Sequence, residues 1–301
     1  MIILFPDNPM NPREVEPDFA AEFDAARTAG FDCSLVSDAA LRRSAAVTFS
    51  LGDIDPQSDD LAALYRGWML KPKEYGGLHD QLTAVGLHPV NGPDAYRACH
   101  YLPDSYAFIR DRTPRTVFEP CDANISRDKI ANLVKSFGAA PLIVKDYVKS
   151  QKHLWDEACF IPTAADLDNV ERVTRRFLAL QDDDLNEGLV YREFVRLRQI
   201  GTHPRSGIPL HLEFRAFFLD AQPIAMAPYW DATTYPDSRP NLDDFSAIAA
   251  SIPSRFFSMD IAMTESGEWI IVELGDGQVS GLPERIDPLA FYRALANGLR
   301  G

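Results

Sequence analysis

The chain has 301 residues, 46% hydrophobic and 25% charged, a composition that fits one or two buried cores and excludes a largely disordered protein. A formal net charge of -14 and a pI near 4.8 set an average repulsion against nucleic-acid backbones and anionic membrane surfaces, so neither is an expected partner. No apolar run is long enough to span a bilayer, and the start MIILFPDNP has no basic lead and breaks at Pro6, so it reads as a first strand and not as a signal peptide.

In chain order, MIILFPD, PDFAAEFDAARTAGF and DCSLVS read as strand, helix and strand. LYRGWML reads as a further strand, and KPKEYGGLHDQLTAVG as a helix with Pro72 near its first turn. DAYRACHYLPDSYAFIRDR is expected to start as helix and continue irregularly, with a boundary near residues 110 to 116. Then come TVFEP (strand), SRDKIANLVKSFG (helix), PLIVKDYV (strand), TAADLDNVERVTRRFLAL (helix) and GLVYREFVRL (strand). Thr163 and Asp166 fit a capping box, and Leu167, Val170, Val173 and Phe177 form the apolar face of the helix after it. From residue 208 the text is strand-rich: LHLEFRAFFLD, QPIAMAPYW, SMDIAM and EWIIVEL, closed by the helix DPLAFYRALANGL. There is no internal repeat and no low-complexity segment.

The four cysteines, Cys33, Cys99, Cys121 and Cys159, show neither CxxC nor Cys/His spacing, so zinc and a disulfide framework are not expected; free thiols in a reducing cytoplasm are. Four clusters could carry chemistry. A buried-looking strand ends in Lys145, with Lys149 and Lys152 just beyond it, a local positive site suited to phosphate oxygens or else a solvated loop. In VYREFVRLRQ, Tyr191, Glu193 and Val195 share one strand face, and the backbone could meet a flat base. In HLEFRAFFLD, Arg215 sits in an apolar strand and needs a partner, either Glu213 or a phosphate held by its planar fork.

The fourth cluster is a hairpin. Ser266-Gly267 reads as a two-residue turn, and pairing about it sets Asp260 opposite Glu273. Side chains so placed have Cβ atoms roughly 5 Å apart, and like charges there destabilise the ladder. A shared proton, an arginine or a divalent cation would relieve them; two solvated acids are the plainer reading. GDGQVSG lacks the spacing and the following helix of a dinucleotide fingerprint, and no Walker lysine motif, HExxH or GxSxG occurs.

Taken in order, the lysine-ended strand, the strand with Glu193, the arginine strand and the acidic hairpin resemble the ATP-grasp superfamily, most closely its clade named for one arginine and two lysines, over roughly residues 117 to 285. The resemblance implies an α/β (α+β) protein with an amino-terminal α/β accessory domain (1–115), a smaller grasp subdomain (116–192) and a carboxy-terminal grasp subdomain with a metal site (193–301). It implies ATP and Mg²⁺ as cofactors. Lys145 would contact the phosphates, and Lys149 and Lys152 would close over them on a mobile loop, either one being the clade's second lysine. Glu193 with the backbone of Phe194 and Val195 would receive adenine, and Arg215 would stabilise the transferring phosphoryl group. Asp260 and Glu273 would hold Mg²⁺. Arg66 matches the clade's arginine or is an ordinary ion pair.

One departure stands out: superfamily members usually carry Asn two residues after the metal-binding Glu, where this chain has Gly275, so Asp276 would supply the missing ligand or one ion would be weakly held. The implied activity is an ADP-forming carboxylate-amine ligase working through an acyl phosphate on an amino acid, peptide or protein end. The alternative is an ATP-binding assembly factor with a protein partner and no turnover, similar to a eukaryotic cell-division-cycle family. Arg198, His203 and Arg205 in RQIGTHPRSGIPLH could recognise a carboxylate or form a solvated hairpin tip.

Overall fold

The computed structural model describes residues 1–43, 45–47 and 61–300. In chain order its elements are β1 (Ile2–Asn8), β2 (Asn11–Val15), α1 (Ala20–Thr28), β3 (Asp32–Val36), α2 (Asp38–Arg42), β4 (Leu61–Tyr65), α3 (Pro72–Ala84), β5 (Leu87–Pro89), α4 (Pro93–His100) and α5 (Leu102–Ile109). They continue with β6 (Thr116–Pro120), α6 (Arg127–Val134), β7 (Leu142–Asp146), α7 (Trp155–Ala158), β8 (Phe160–Ile161), α8 (Leu167–Gln181) and β9 (Gly188–Glu193). Last come β10 (Gln199–Thr202), β11 (Pro209–His211), β12 (Glu213–Leu219), β13 (Gln222–Pro228), α9 (Ser246–Ser251), β14 (Phe256–Met263), β15 (Trp269–Asp276) and α10 (Pro288–Arg300).

The chain forms two compact units, one of Met1–His100, Gln199–Ile261 and Glu273–Gly301, the other of Tyr101–Arg198 and Ala262–Val272. The boundaries expected from sequence fall at 115/116 and 192/193 instead, and they do not separate the hairpin tip from its strands.

In the first unit, β1 lies between β3 and β4, parallel to both, with β5 beyond β4 and β2 antiparallel on β1. A parallel strand covered on both faces reads as a continuous apolar run, and IILF is one. Ile2 and Leu4 face a core with Tyr65, Tyr75 and Tyr96, while Ile3 and Phe5 face another with Phe217, Phe256 and Phe291. That second core joins the parallel sheet to an antiparallel sheet ordered β13-β12-β14-β15. The β12–β13 turn puts Asp220 and Ala221 at φ 47° and 64°, the pair of positive angles that a tight hairpin requires.

The second unit is an antiparallel sheet ordered β6-β9-β7-β8. Leu142, Val144, Tyr191 and Ile161 pack against Ile130 and Val134 of α6 and Val170, Val173 and Phe177 of α8. Because alternate residues change face, the register puts Ile143, Lys145, Phe160, Val190 and Arg192 on the side opposite those helices.

Three local expectations are corrected. Asp166, not Thr163, caps α8: its carboxylate accepts from Asn169 N at 3.1 Å, so the helix begins at Leu167, which stays exposed. The strand expected over LYRGWML ends at Tyr65, whose hydroxyl bonds Trp68 O at 2.9 Å and curls the chain. Residues 102–109, expected to be irregular, form α5 with Pro103 in its first turn. Among the described residues no helix is long and apolar enough to cross a membrane, and all four cysteines are free.

Candidate functional site

Arg215 on β12 and Asp260 on the neighbouring β14 form a fork with two parallel bonds, Nε–Oδ1 at 2.7 Å and Nη2–Oδ2 at 2.8 Å. Nη1 donates to Gly281 O at 3.1 Å, and the guanidinium carbon lies 4.9 Å from the Tyr229 ring centre. Burial disfavours the guanidinium charge, but Asp260 outweighs it and holds the group above its ordinary range, with Glu273 adding to the effect. Glu273 itself is exposed on β15. Gly277 N donates to Phe256 O at 3.1 Å and Thr264 N to Glu268 O at 2.8 Å, so the turn holds three residues, 265–267, with Gly267 at φ 90°, and not the two expected from the sequence; Glu273 lies near enough to Arg215 to act on its charge. The positive group beside Asp260 is therefore an arginine, Arg215.

The strand after Glu273 is tied down by Asp276, read from the sequence as a metal ligand, together with Asn91 and Gln278, which the sequence did not single out. Asp276 is fully buried, and its carboxylate accepts from Asn91 Nδ2 at 2.6 Å, Gln278 N at 2.9 Å and Gln278 Nε2 at 3.1 Å. Burial pushes its pKa up to about 6 despite those donors. Asp276 alternates with Gly275 on β15 and so faces away from Glu273, toward the Asn91 network, and is not brought to Asp260. Asn91 also brackets Phe256, donating to its carbonyl at 2.7 Å and accepting from its N–H at 3.1 Å. On the other face, Ser258 and Ser280 share a 2.6 Å bond in the space above Gly275.

Arg66 is 1% exposed and fully occupied within the fold. It binds Glu22 through Nε at 2.7 Å and Nη2 at 3.0 Å, and its Nη1 donates to Gly277 O at 2.9 Å and Ser280 O at 2.6 Å. Tyr292 donates to the same Glu22 at 2.7 Å. Arg66 is thus a strut for the loop that follows Asp276, more deeply buried than a core-edge pair.

In the second unit, Lys145 is buried on the sheet face opposite the helices, and Lys149 and Lys152 are exposed. The turn between them is braced: Asp146 accepts from Val148 N at 2.7 Å, from Lys149 N, and from Asn186 Nδ2 at 2.7 Å. The buried Cys159 thiol is pushed up to about 11 by burial, moderated by the charges of Lys152 and then Lys145. Both ammonium groups thus lie close enough to Cys159 to act on its charge. Trp155 stacks on Phe160 with centroids 5.2 Å apart, and Phe194 packs edge-on to both at 5.6 and 5.0 Å. Glu193 pairs with Arg115 at 3.2 Å, and Phe194 N is taken by Pro141 O at 2.9 Å, so that amide is not open to a base. Val195 follows in the segment without regular structure after β9. His203 caps the β10–β11 turn, its Nδ1 accepting from Ser206 N at 3.2 Å, while Arg205 is exposed at that tip and Arg198 Nη1 lies 3.5 Å from Met263 Sδ.

Residues 136–295, more than half of the chain, match the model of an ATP-grasp domain family, the third family of the clade named for one arginine and two lysines. The chain belongs to this ATP-grasp family. Among solved structures it resembles D-cycloserine synthetase DcsG, at 15% identity over 99% of this chain and 100% of that one, with a TM-score of 0.60. It resembles a RimK domain ATP-grasp protein from Sphaerobacter thermophilus at 13% identity, covering 100% and 99%, with a TM-score of 0.59. It also resembles the ATP-grasp ligase PsnB, solved with minimal precursor, Mg and ADP, at 14% identity, covering 100% and 98%, with a TM-score of 0.56. At these identities the likeness establishes the ATP-grasp fold. No curated protein matches the sequence.

ATP-grasp chemistry calls for Mg²⁺, and the donor set here fits a cation that shares its shell with phosphate. Mg²⁺ takes one or two carboxylates plus phosphates and water, and Glu273, exposed, with Asp260, held by Arg215, can supply two. Among the described residues no group of three or more His, Cys, Asp or Glu is placed to hold a metal on its own.

Proposed function

We propose that this ATP-grasp protein is an ATP- and Mg²⁺-dependent ligase that activates a carboxylate as an acyl phosphate and joins it to an amine, releasing ADP. The observation that carries the reading is the Arg215–Asp260 fork with Glu273 beside it: a largely buried guanidinium held by one carboxylate, with a second acid on the adjoining strand. Phosphoryl transfer needs positioning and fixed positive charge against the phosphate oxygens, and these residues can supply both.

In this reading Asp260 and Glu273 hold the cation, which when bound neutralises phosphate oxygens. Arg215, freed from part of its bond to Asp260, turns its fork to the transferring phosphoryl group. Lys145 and Lys152 bind phosphate oxygens; Lys152 is taken as the second lysine because it shares the surroundings of Cys159 with Lys145. Glu193 and the half-buried faces of Trp155, Phe160 and Phe194 receive the nucleoside. No protein nucleophile is required, since the acyl phosphate forms between substrates and the amine attacks it directly.

An amino acid or peptide as the carboxylate donor is favoured by the company the fold keeps, a D-cycloserine synthetase and a ligase solved with its precursor. The test is ADP release with panels of amino acids and short peptides as carboxylate and amine. ADP formed in step with an amide product is expected. ADP formed in step with a stable phosphorylated product would make the protein a kinase, and ATP bound without turnover under every pairing would favour an assembly role.

A further inference from the structure

Resting on the nucleotide reading above, we infer that this chain takes a single divalent cation per bound nucleotide, held by Asp260 and Glu273, because the Ser258–Ser280 pair fills the place from which a further donor would reach a second ion. Side chains on one face of a strand recur every second residue, so Gly275 is the next position on β15 that shares the face of Glu273. A Cβ at Gly275 would lie 2.5 Å from Ser280 Oγ and 2.7 Å from Ser258 Oγ. Each hydroxyl turns only about its own Cα–Cβ bond, and burial with hydrogen bonding holds it in place. Both serines are buried, their oxygens are 2.6 Å apart, and Ser280 Oγ donates onward to Asp276 O at 2.9 Å. With Ser280 donating to that carbonyl, Ser258 donates to Ser280, and both hydroxyl protons are spent inside the fold.

The next carboxylate along the strand gives no substitute. Asp276 faces the opposite side and accepts three hydrogen bonds from Asn91 and Gln278. Glu22 is committed to Arg66 and Tyr292. Two carboxylates with phosphate and water satisfy one octahedral cation, and the first of these is shared with Arg215. A second ion would have to be held by phosphate and water with little from the protein.

The experiment counts Mn²⁺ retained per protein-bound AMPPNP by electron paramagnetic resonance after equilibrium dialysis at saturating Mn²⁺. One ion per nucleotide is expected. A Ser258→Ala/Gly275→Asn/Ser280→Ala variant clears the space and adds an amide oxygen, and two ions are expected there. Two ions in the wild type would overturn the inference while leaving the nucleotide reading intact. Nucleotide binding with no retained Mn²⁺, or no nucleotide binding, would overturn both. The triple variant holding nucleotide with one ion would overturn the account of the serine pair as the limit.

Discussion

Arg215 and Asp260 meet across neighbouring strands through two bonds of 2.7 and 2.8 Å, so the acid expected to carry a cation already has a cation of the protein's own beside it. Breaking a buried pair from one side leaves a bare charge, which costs about 3–5 kcal/mol. Arg215→Ala should therefore lose stability on that scale in chemical denaturation. Mn²⁺ should then raise the melting temperature of the variant more than that of the wild type, since metal replaces the missing guanidinium. Equal shifts in both proteins would mean that Asp260 does not hold the ion. Arg215→Lys should recover only part of the loss, because an ammonium cannot reproduce the two-bond fork.

The lysines should separate. Lys145→Ala and Lys152→Ala should each weaken ATP binding by about tenfold or more, the worth of a hydrogen bond to a charged group. Lys149→Ala should change it little if Lys152 is the second lysine, since both are exposed and the two differ only in their place relative to Lys145. Calorimetric titration of the three variants reads this directly; a larger loss for Lys149→Ala than for Lys152→Ala would reverse the assignment.

Arg66→Met should destabilise the fold by about 3–5 kcal/mol while leaving ATP affinity unchanged at temperatures where the variant is folded. Every partner seen for its guanidinium is a protein oxygen: Glu22, Gly277 O and Ser280 O. A clear loss of ATP affinity in the folded variant, with stability intact, would return Arg66 to the nucleotide site.

Asp276 gives a pH prediction of definite sign. Its folded-state pKa is raised to about 6 from 3.8 by burial, so the folded chain binds more protons than the unfolded one between those values. Its contribution to stability therefore falls as pH rises from about 4 to about 6, by on the order of 3 kcal/mol for a shift of about two units. Asp276→Asn, which cannot ionise, should compare better with the wild type at pH 7 than at pH 4. Denaturant midpoints across that range check it, and a difference that stays flat would show that Asp276 does not titrate there.

What the sequence made legible was local. Val170, Val173 and Phe177 follow from helical spacing, and the hairpin between Asp260 and Glu273 from the turn residues at its tip, though that turn holds three residues and not two. What it hid is committed over distance. Arg215 lies 45 residues from Asp260, and in sequence each of the two is assigned separately to ATP or its metal. Asp276 reads as a ligand because nothing in the text shows that Asn91, 185 residues away, donates to it. Gly275 reads as a missing ligand, and only Ser258 and Ser280, packed where its side chain would stand, give the physical reason for glycine. Thr163 and Asp166 both suit a helix start, and the choice between them is made by Ala139, whose carbonyl takes the Thr163 hydroxyl at 3.1 Å.

In the proposed reading Asp260 and Glu273 hold a cation with bound ATP. Its most direct test is calorimetric titration of ATP with and without Mg²⁺ on the wild type and on Glu273→Ala. Mg²⁺-dependent binding is expected in the wild type and its loss in the variant. Binding of equal strength in both proteins, or in the absence of Mg²⁺, would contradict that reading.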